Sequence, residues 1–415
     1  MDEASTLMLK RYFKEYYFRF SDGVRAPSEI ESREFGYLPF GGGMVRHISL
    51  KDAGSLRALL VKEAPAGFYC SNSLYFDPSA EMHLKGWKRA ELIFDIDADA
   101  LRLPCKKVHD IWLCKGCGRR EFGLRPEVCP GCRGNRLLEL SWSCPNCLEG
   151  TKRETFKLLE FLEEDFGVEP DKVRVYFSGS AGYHVEVAGS SYELLDSHGR
   201  AELADYIACR GMLSEITRSS RLSPTDPGWR GRIARYIRDL GPESEVFSAT
   251  DYDSRLRELV NDFTKKELDS FLSGMVSICA VKIDAMVTTD VHRIFRMPET
   301  LNNKTGLVKR ICETKLLTSF NPTVEAIALK DATERVDVTI DMCPKISLGG
   351  ETCGPLTSET QSLPLFVAVY IIAKGAGHVA QAAQIAEASG RGDRVDARAK
   401  RTAEMVSERK RIDIV

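Results

Sequence analysis

The sequence predicts an α/β protein that carries a zinc-binding module and a helical subdomain, and three observations lead there. Stretches with two-residue alternation, the mark of half-buried strands, occur at 88–99, 173–187 and 281–288. Segments of helical spacing or helix-forming composition lie between them, at 7–20, 151–167 and 192–275. Seven of the 13 cysteines fall inside 104–150, and an odd cysteine count without an export signal favours metal over disulfides. At 415 residues, 43% apolar and 28% charged, the chain has room for two or three domains of ~150 residues. A disordered tail, a collagen-like fibre and a small disulfide scaffold are excluded. The longest apolar run, Leu365 to Ala373, is nine residues, against the ~20 that span a bilayer, so no membrane partner is expected. The opening MDEASTLML lacks a basic n-region and a long apolar core, which predicts a cytoplasmic protein.

In chain order, LMLKRYFKEYYFRF places its apolar residues at helical spacing, and Pro27 and Gly41-Gly42-Gly43 break the chain after it. KRAELIFDIDAD reads as a strand with Leu92, Phe94 and Ile96 on one face and Ile93, Asp95 and Asp97 on the other. After the Cys-rich region, TKRETFKLLEFLEEDFG reads as an amphipathic helix closing at Gly167. KVRVYFSGSAGYHVEV gives two strands around a Gly-Ser-Ala-Gly turn. A helical insertion is expected over 192–275, and a third strand over VKIDAMVT, with Asp284 on its polar side. From about 320 a mixed tail ends in an Ala-rich, charged helix after Gly375.

Four constellations carry chemistry. Asp95 and Asp97, ~7 Å apart along one strand face, can reach shared divalent cations, and Asp284 is the natural third ligand. A carboxylate pair in a hydrophobic strand has to be solvated, paired or metal-bound. The turn Ser178-Gly179-Ser180-Ala181-Gly182, followed by His184, lets backbone N–H and serine hydroxyls converge on phosphate oxygens, although a plain hairpin turn would look the same. Arg293, Arg296 and Lys304 gather cations near Asp284, a mixture that suits a triphosphate with Mg²⁺. Cys114-x2-Cys117 and Cys129-x2-Cys132 have the spacing of a four-cysteine zinc ribbon; Cys105, His109, Cys144 and Cys147 supply a second tetrahedral set. Both read as structural, because four protein ligands leave no open position. Cys70, Cys209, Cys279, Cys312, Cys343 and Cys353 read as isolated buried thiols.

FDID, SGSAGYH and IDAMVTTDVHRIFRMPETLNNKTGL, with SREFGY and VRHISL upstream, resemble in order and type the signature of the archaeal and eukaryotic-type DNA primase small, catalytic subunit. The resemblance spans residues 10 to 320. It implies a primase-polymerase core with a mixed sheet, discontinuous over 1–103 and 151–320. The zinc module would occupy 104–150, the helical insertion 192–275 and a C-terminal mixed region 321–415. It implies that Asp95, Asp97 and Asp284 hold two catalytic Mg²⁺ or Mn²⁺ ions. Ser178, Gly179, Ser180, Gly182, His184, Arg293, Arg296 and Lys304 would bind the nucleotide. The family often has His where this chain has Asn303. Cys105, His109, Cys144 and Cys147 match the family's zinc knuckle, with the ribbon at 114–132 as an insertion within it. Implied partners are single-stranded DNA template, nucleoside triphosphates and a large subunit carrying an iron-sulfur cluster. Six Arg between 218 and 238, with Trp229 and Tyr236, would suit template contact or a solvated helix. A related repair or gap-filling polymerase, and a zinc-ribbon nucleic-acid-binding protein without catalysis, are the competing functions.

Overall fold

Tyr12, Phe13, Tyr16 and Tyr17 bury one face of helix α1, Glu3–Phe20, whose first turn is capped by the Asp2 carboxylate accepting from Ser5 N at 2.8 Å. The computed structural model describes residues 1–212, 223–239 and 264–380. After α1 come β1 (Arg33–Leu38), β2 (Val45–Ile48), helix α2 (Ala53–Glu63), β3 (Gly67–Tyr75), β4 (Trp87–Ala90) and β5 (Leu92–Asp97). The Cys-rich module holds α3 (Lys106–His109), β6 (Ile111–Cys114), β7 (Arg120–Phe122) and β8 (Leu137–Leu140). Helix α4 (Pro145–Glu160) leads to β9 (Val173–Phe177) and β10 (Gly182–Val187), then to α5 (Ser197–Ile207), α6 (Gly228–Asp239), α7 (Lys265–Cys279) and the short α8 (Ala285–Thr289). β11 (Ile294–Arg296), β12 (Arg310–Cys312), α9 (Pro322–Glu325), β13 (Arg335–Cys343), β14 (Ile346–Leu348), β15 (Glu351–Cys353), β16 (Leu356–Pro364), α10 (Leu365–Ala373) and β17 (Gly377–Val379) complete the described chain.

Two sheets form the centre. One has the order β11-β3-β1-β2 with β4 also on β3; the other runs β12-β9-β10-β5. Leu92, Phe94 and Ile96 are fully buried and join Val175, Phe177, Tyr183 and Val185 in one core with α1 and α10. Alternation therefore leaves Asp95, Asp97, His184 and Glu186 on the opposite face. The register sets His184 opposite Asp95 and Gly182 opposite Asp97.

The structure departs from the expected elements at several places. The strand expected over 88–99 divides at Glu91, whose N–H and C=O bond to Asn72, so β4 and β5 lie in different sheets. All pairings among the described strands are antiparallel, so the sheet bearing the acids is not mixed. The third strand is absent: Val281 and Ile283 are buried in an unpaired extended run, and Asp284 caps α8 by accepting from Met286 N at 3.0 Å. Helix α4 begins at Pro145, six residues before the expected 151, and ends through a π turn, Phe161–Asp165, before Gly167. Cys343 and Cys353 are not isolated; their buried thiols act on each other, Cys343 being raised and Cys353 lowered. The charged helix expected after Gly375 falls largely on 381–415, outside the described residues; 377–379 is β17. No helix of the described residues is long and apolar enough to cross a membrane.

Candidate active site and zinc centres

Asp95 and Asp97 project from one face of β5, and Asp284 is drawn to them by its own backbone, whose N–H bonds to Asp95 O at 3.0 Å. Burial raises Asp95 to about 7, and the charges of Asp97 and Asp284 add to it against Arg293 and Lys309. Burial and Asp99 likewise raise Asp97. Asp97 and Asp284 are near enough for their charges to raise Asp95, and three carboxylates of this kind are the hard oxygen donors that Mg²⁺ or Mn²⁺ takes. His184 Nε2 stands 3.5 Å from Asp95 Oδ1, and its Nδ1 is buried without a protein partner. Burial, then Lys309, Arg296 and Arg293, hold its imidazole well below the usual histidine range, so it is neutral.

The Ser-Gly turn and the Lys-Thr-Gly turn are stitched together. Thr305 Oγ1 donates to Gly179 O, and Asn302 Nδ2 to Ser178 O at 3.4 Å. Gly179 has φ of +81°, and a Cβ there would lie 3.1 Å from Asn302 Cβ, so the close approach requires glycine. Asn302 holds its own turn by accepting from Lys304 N and Gly306 N. Ser178 and Ser180 line this double loop, the Lys304 side chain is exposed on it, and the exposed Arg293 is near enough to act on Asp95 and His184.

Arg296 is engaged differently from expectation. Its guanidinium donates to Leu301 O at 2.6 Å, Tyr69 OH at 3.1 Å and Asn303 Oδ1 at 3.0 Å. It braces the Lys-Thr-Gly turn, and Asn303 serves as one of its acceptors. Beneath it lies Lys309, which the sequence reading did not single out. Its Nζ donates to Arg296 O at 2.8 Å, and burial pulls its ammonium down to about 8 against the charge of Glu186. The signal was its place in the basic run 293–310; only the fold shows that it points inward.

The eight zinc candidates form two clusters, Cys105, His109, Cys144 and Cys147, and Cys114, Cys117, Cys129 and Cys132. Sulfur-to-sulfur distances of 3.5 Å (Cys114–Cys132), 3.6 Å (Cys105–Cys147) and 3.7 Å (Cys117–Cys129) match the edge of about 3.8 Å that Zn–S bonds of about 2.3 Å give a tetrahedron. Both sets could therefore hold zinc. His109 Nδ1 lies 2.9 Å from Asp110 Oδ1, the partner that orients a ligating imidazole. The knuckle cluster adjoins the acids: Ala98, Cys147 and Ala181 form one small core, and Ala98 N bonds to Ala181 O at 3.2 Å.

The described part of the Arg-rich segment is tied inward. Arg232 sits over the Phe161 ring at 3.8 Å and pairs with Glu160, Glu164 and Asp165; Arg235 pairs with Glu164, Arg230 with Asp226 and Arg238 with Asp239. Arg232 and Arg235 fasten α6 to the end of α4, whereas Arg230 pairs within one turn of its own helix and Arg238 is exposed beside Asp239. Arg218 and Arg221 lie outside the described residues.

Acids on a sheet face stand beside a glycine-built, lysine-flanked double loop, an arrangement of the kind a nucleotidyltransferase would need. The family described as DNA primase small subunit matches residues 141–313. The protein named DNA primase small subunit PriS of Cenarchaeum symbiosum is 39% identical over 90% of this chain and 99% of its own length. Its namesakes of Nitrosopumilus maritimus and Archaeoglobus fulgidus are 36% and 31% identical, over 90% and 89% of this chain and 98% and 97% of theirs. Among solved structures, a polymerase domain from Mycobacterium tuberculosis ligase D in complex with DNA is similar at a TM-score of 0.35 and 11% identity, over 76% of this chain and 84% of that one. The chain belongs to the DNA primase small-subunit family, whose members are DNA-directed nucleotidyltransferases.

Proposed function

We propose that this chain synthesises short primers on single-stranded DNA by attack of a 3′-hydroxyl on the α-phosphate of the next nucleotide, the α–β P–O bond breaking and pyrophosphate leaving. The observation that carries this reading is the placement of Asp95, Asp97 and Asp284 beside the stitched Ser178–Gly182 and Asn302–Gly306 loops. Asp95, Asp97 and Asp284 would hold Mg²⁺ or Mn²⁺, which lowers the pKa of the attacking hydroxyl and neutralises the leaving group. Ser178, Ser180 and the backbone of Gly179 and Gly182 would cradle the phosphates, Lys304 and Arg293 would neutralise them, and Arg296 would hold the Lys304 turn in place. His184, neutral and with Nδ1 unpartnered, offers that nitrogen to a nucleotide oxygen. A large subunit is the proposed partner, single-stranded DNA the template, and the cytoplasmic replication fork the place of work.

The test is unprimed synthesis with purified chain, single-stranded DNA, labelled nucleotides and Mg²⁺ or Mn²⁺, beside Asp97→Asn. Short products from the parent alone are expected. Extension only of a supplied primer would favour dependence on the partner or the repair reading, and template binding without synthesis would favour the non-catalytic reading.

A further inference from the structure

Helix α10 ends at a cation, and it packs on the Lys-Thr-Gly turn so closely that a Cβ on Gly306 would come within 2.3 Å of Val369 Cγ1. The next residue, Tyr370, lines one small cavity with Ser180 and Leu307. One turn further, at the C-terminal cap of α10, stands Lys374, whose Nζ donates to Ser141 O at 2.8 Å. An ammonium has three donors, and that carbonyl uses one. The charges of Asp99, Asp97, Lys304 and Asp110 act on it, so it is within electrostatic reach of the acids and of the exposed lysine of the turn. Asp99 and Asp110 are themselves engaged by Lys106, at 3.0 and 3.6 Å.

Cations free to meet a triphosphate are few here. The Ser178–Gly182 loop has none, Arg296 is committed to three oxygens, and Lys309 is buried under it. We propose that Lys374 is a second lysine contact for the triphosphate of the incoming nucleotide, delivered by the C-terminal region, so that docking of α10 completes the nucleotide site. The inference rests on the nucleotide reading above.

Calorimetric titration of ATP and ADP with Mg²⁺ into the full chain tests it. Lys374→Met should weaken ATP about tenfold and ADP much less, while Lys374→Arg stays within about threefold of the parent, since either cation can meet phosphate. Melting temperature and template affinity should be unchanged. An unaltered ATP to ADP ratio in Lys374→Met would leave Lys374 a strut to Ser141 and overturn the proposal. Lys304→Ala separates the two failures: if it weakens ATP while Lys374→Met does not, only this inference falls; if neither weakens ATP, the nucleotide reading falls as well. Should Lys374→Met not fold, amine acetylation of the parent chain gives the answer. ATP should protect Lys374 and ADP should protect it less, and equal labelling with and without ATP overturns the proposal.

Discussion

Asp95 is where burial and like charge concentrate, and its substitution has two consequences of opposite sign. Asp95→Asn should reduce primer synthesis by about a thousandfold or more, since it removes a ligand of the proposed metal site, yet it should stabilise the metal-free protein. The folded carboxyl titrates near 7 and the unfolded one near 3.8. The folded state therefore binds more protons between those values, and stability falls as pH rises through that window. The gain in melting temperature of Asp95→Asn should be large at pH 8 and vanish near pH 4, as thermal melts in chelator across that range will show. Arg296→Lys should raise the KM for nucleotide more than it lowers kcat, because an ammonium cannot reproduce the planar fork that meets Leu301 O, Tyr69 OH and Asn303 together; steady-state kinetics at saturating template decides. Asp95 and Asp97 were legible because strand alternation alone puts them on one face. Lys309 and Glu186 were not, because what makes them matter is burial against residues far away in sequence, and Lys374 was not, because its place depends on how α10 packs on the Lys-Thr-Gly turn.

At the scale of elements, the paired loops and the two metal modules make separate demands. Gly179→Ala should cost about 1–2 kcal/mol, the strain of a non-glycine residue at φ of +81°, and should also raise the Kd for nucleotide, because the added methyl pushes against Asn302; denaturant unfolding and nucleotide titration read the two effects. Elemental analysis should find two zinc ions per chain. Removing the ligands of one cluster at a time should have unequal results. Cys147→Ser disturbs the core shared with Ala98 and Ala181 and should abolish synthesis. Cys117→Ser opens a ribbon with its own small core of Trp112, Cys114, Cys129 and Leu137, and should leave most nucleotide binding intact. The CxxC spacing made both modules readable. The fate of 281–288 was not readable, since Val281, Ile283 and Val287 suit a strand by pattern, and only the Asp284 cap and the absence of a strand partner decide otherwise.

Across the described residues, 321–380 packs into the same core as the strands that carry the acids. α10 buries eight of its nine residues, and such side chains are worth about 1.5–3 kcal/mol each on leaving water. Against it lie α1 and the Trp142 ring, 5.8 Å from Tyr370. A chain ended at 320 should expose that core and bind a hydrophobic dye strongly, and near-ultraviolet circular dichroism should show loss of fixed packing. Periodicity, residue type and short-range spacing are local properties, and from them the sequence by itself determined the strands bearing Asp95, Asp97 and His184, the glycine turn and both cysteine sets. The tertiary structure alone decided that Asp284 joins its partners through a backbone bond rather than a strand, that Arg232 and Arg235 face inward, and that α10 closes over the Lys-Thr-Gly turn. These depend on contacts between segments up to hundreds of residues apart, whose energies no local pattern records.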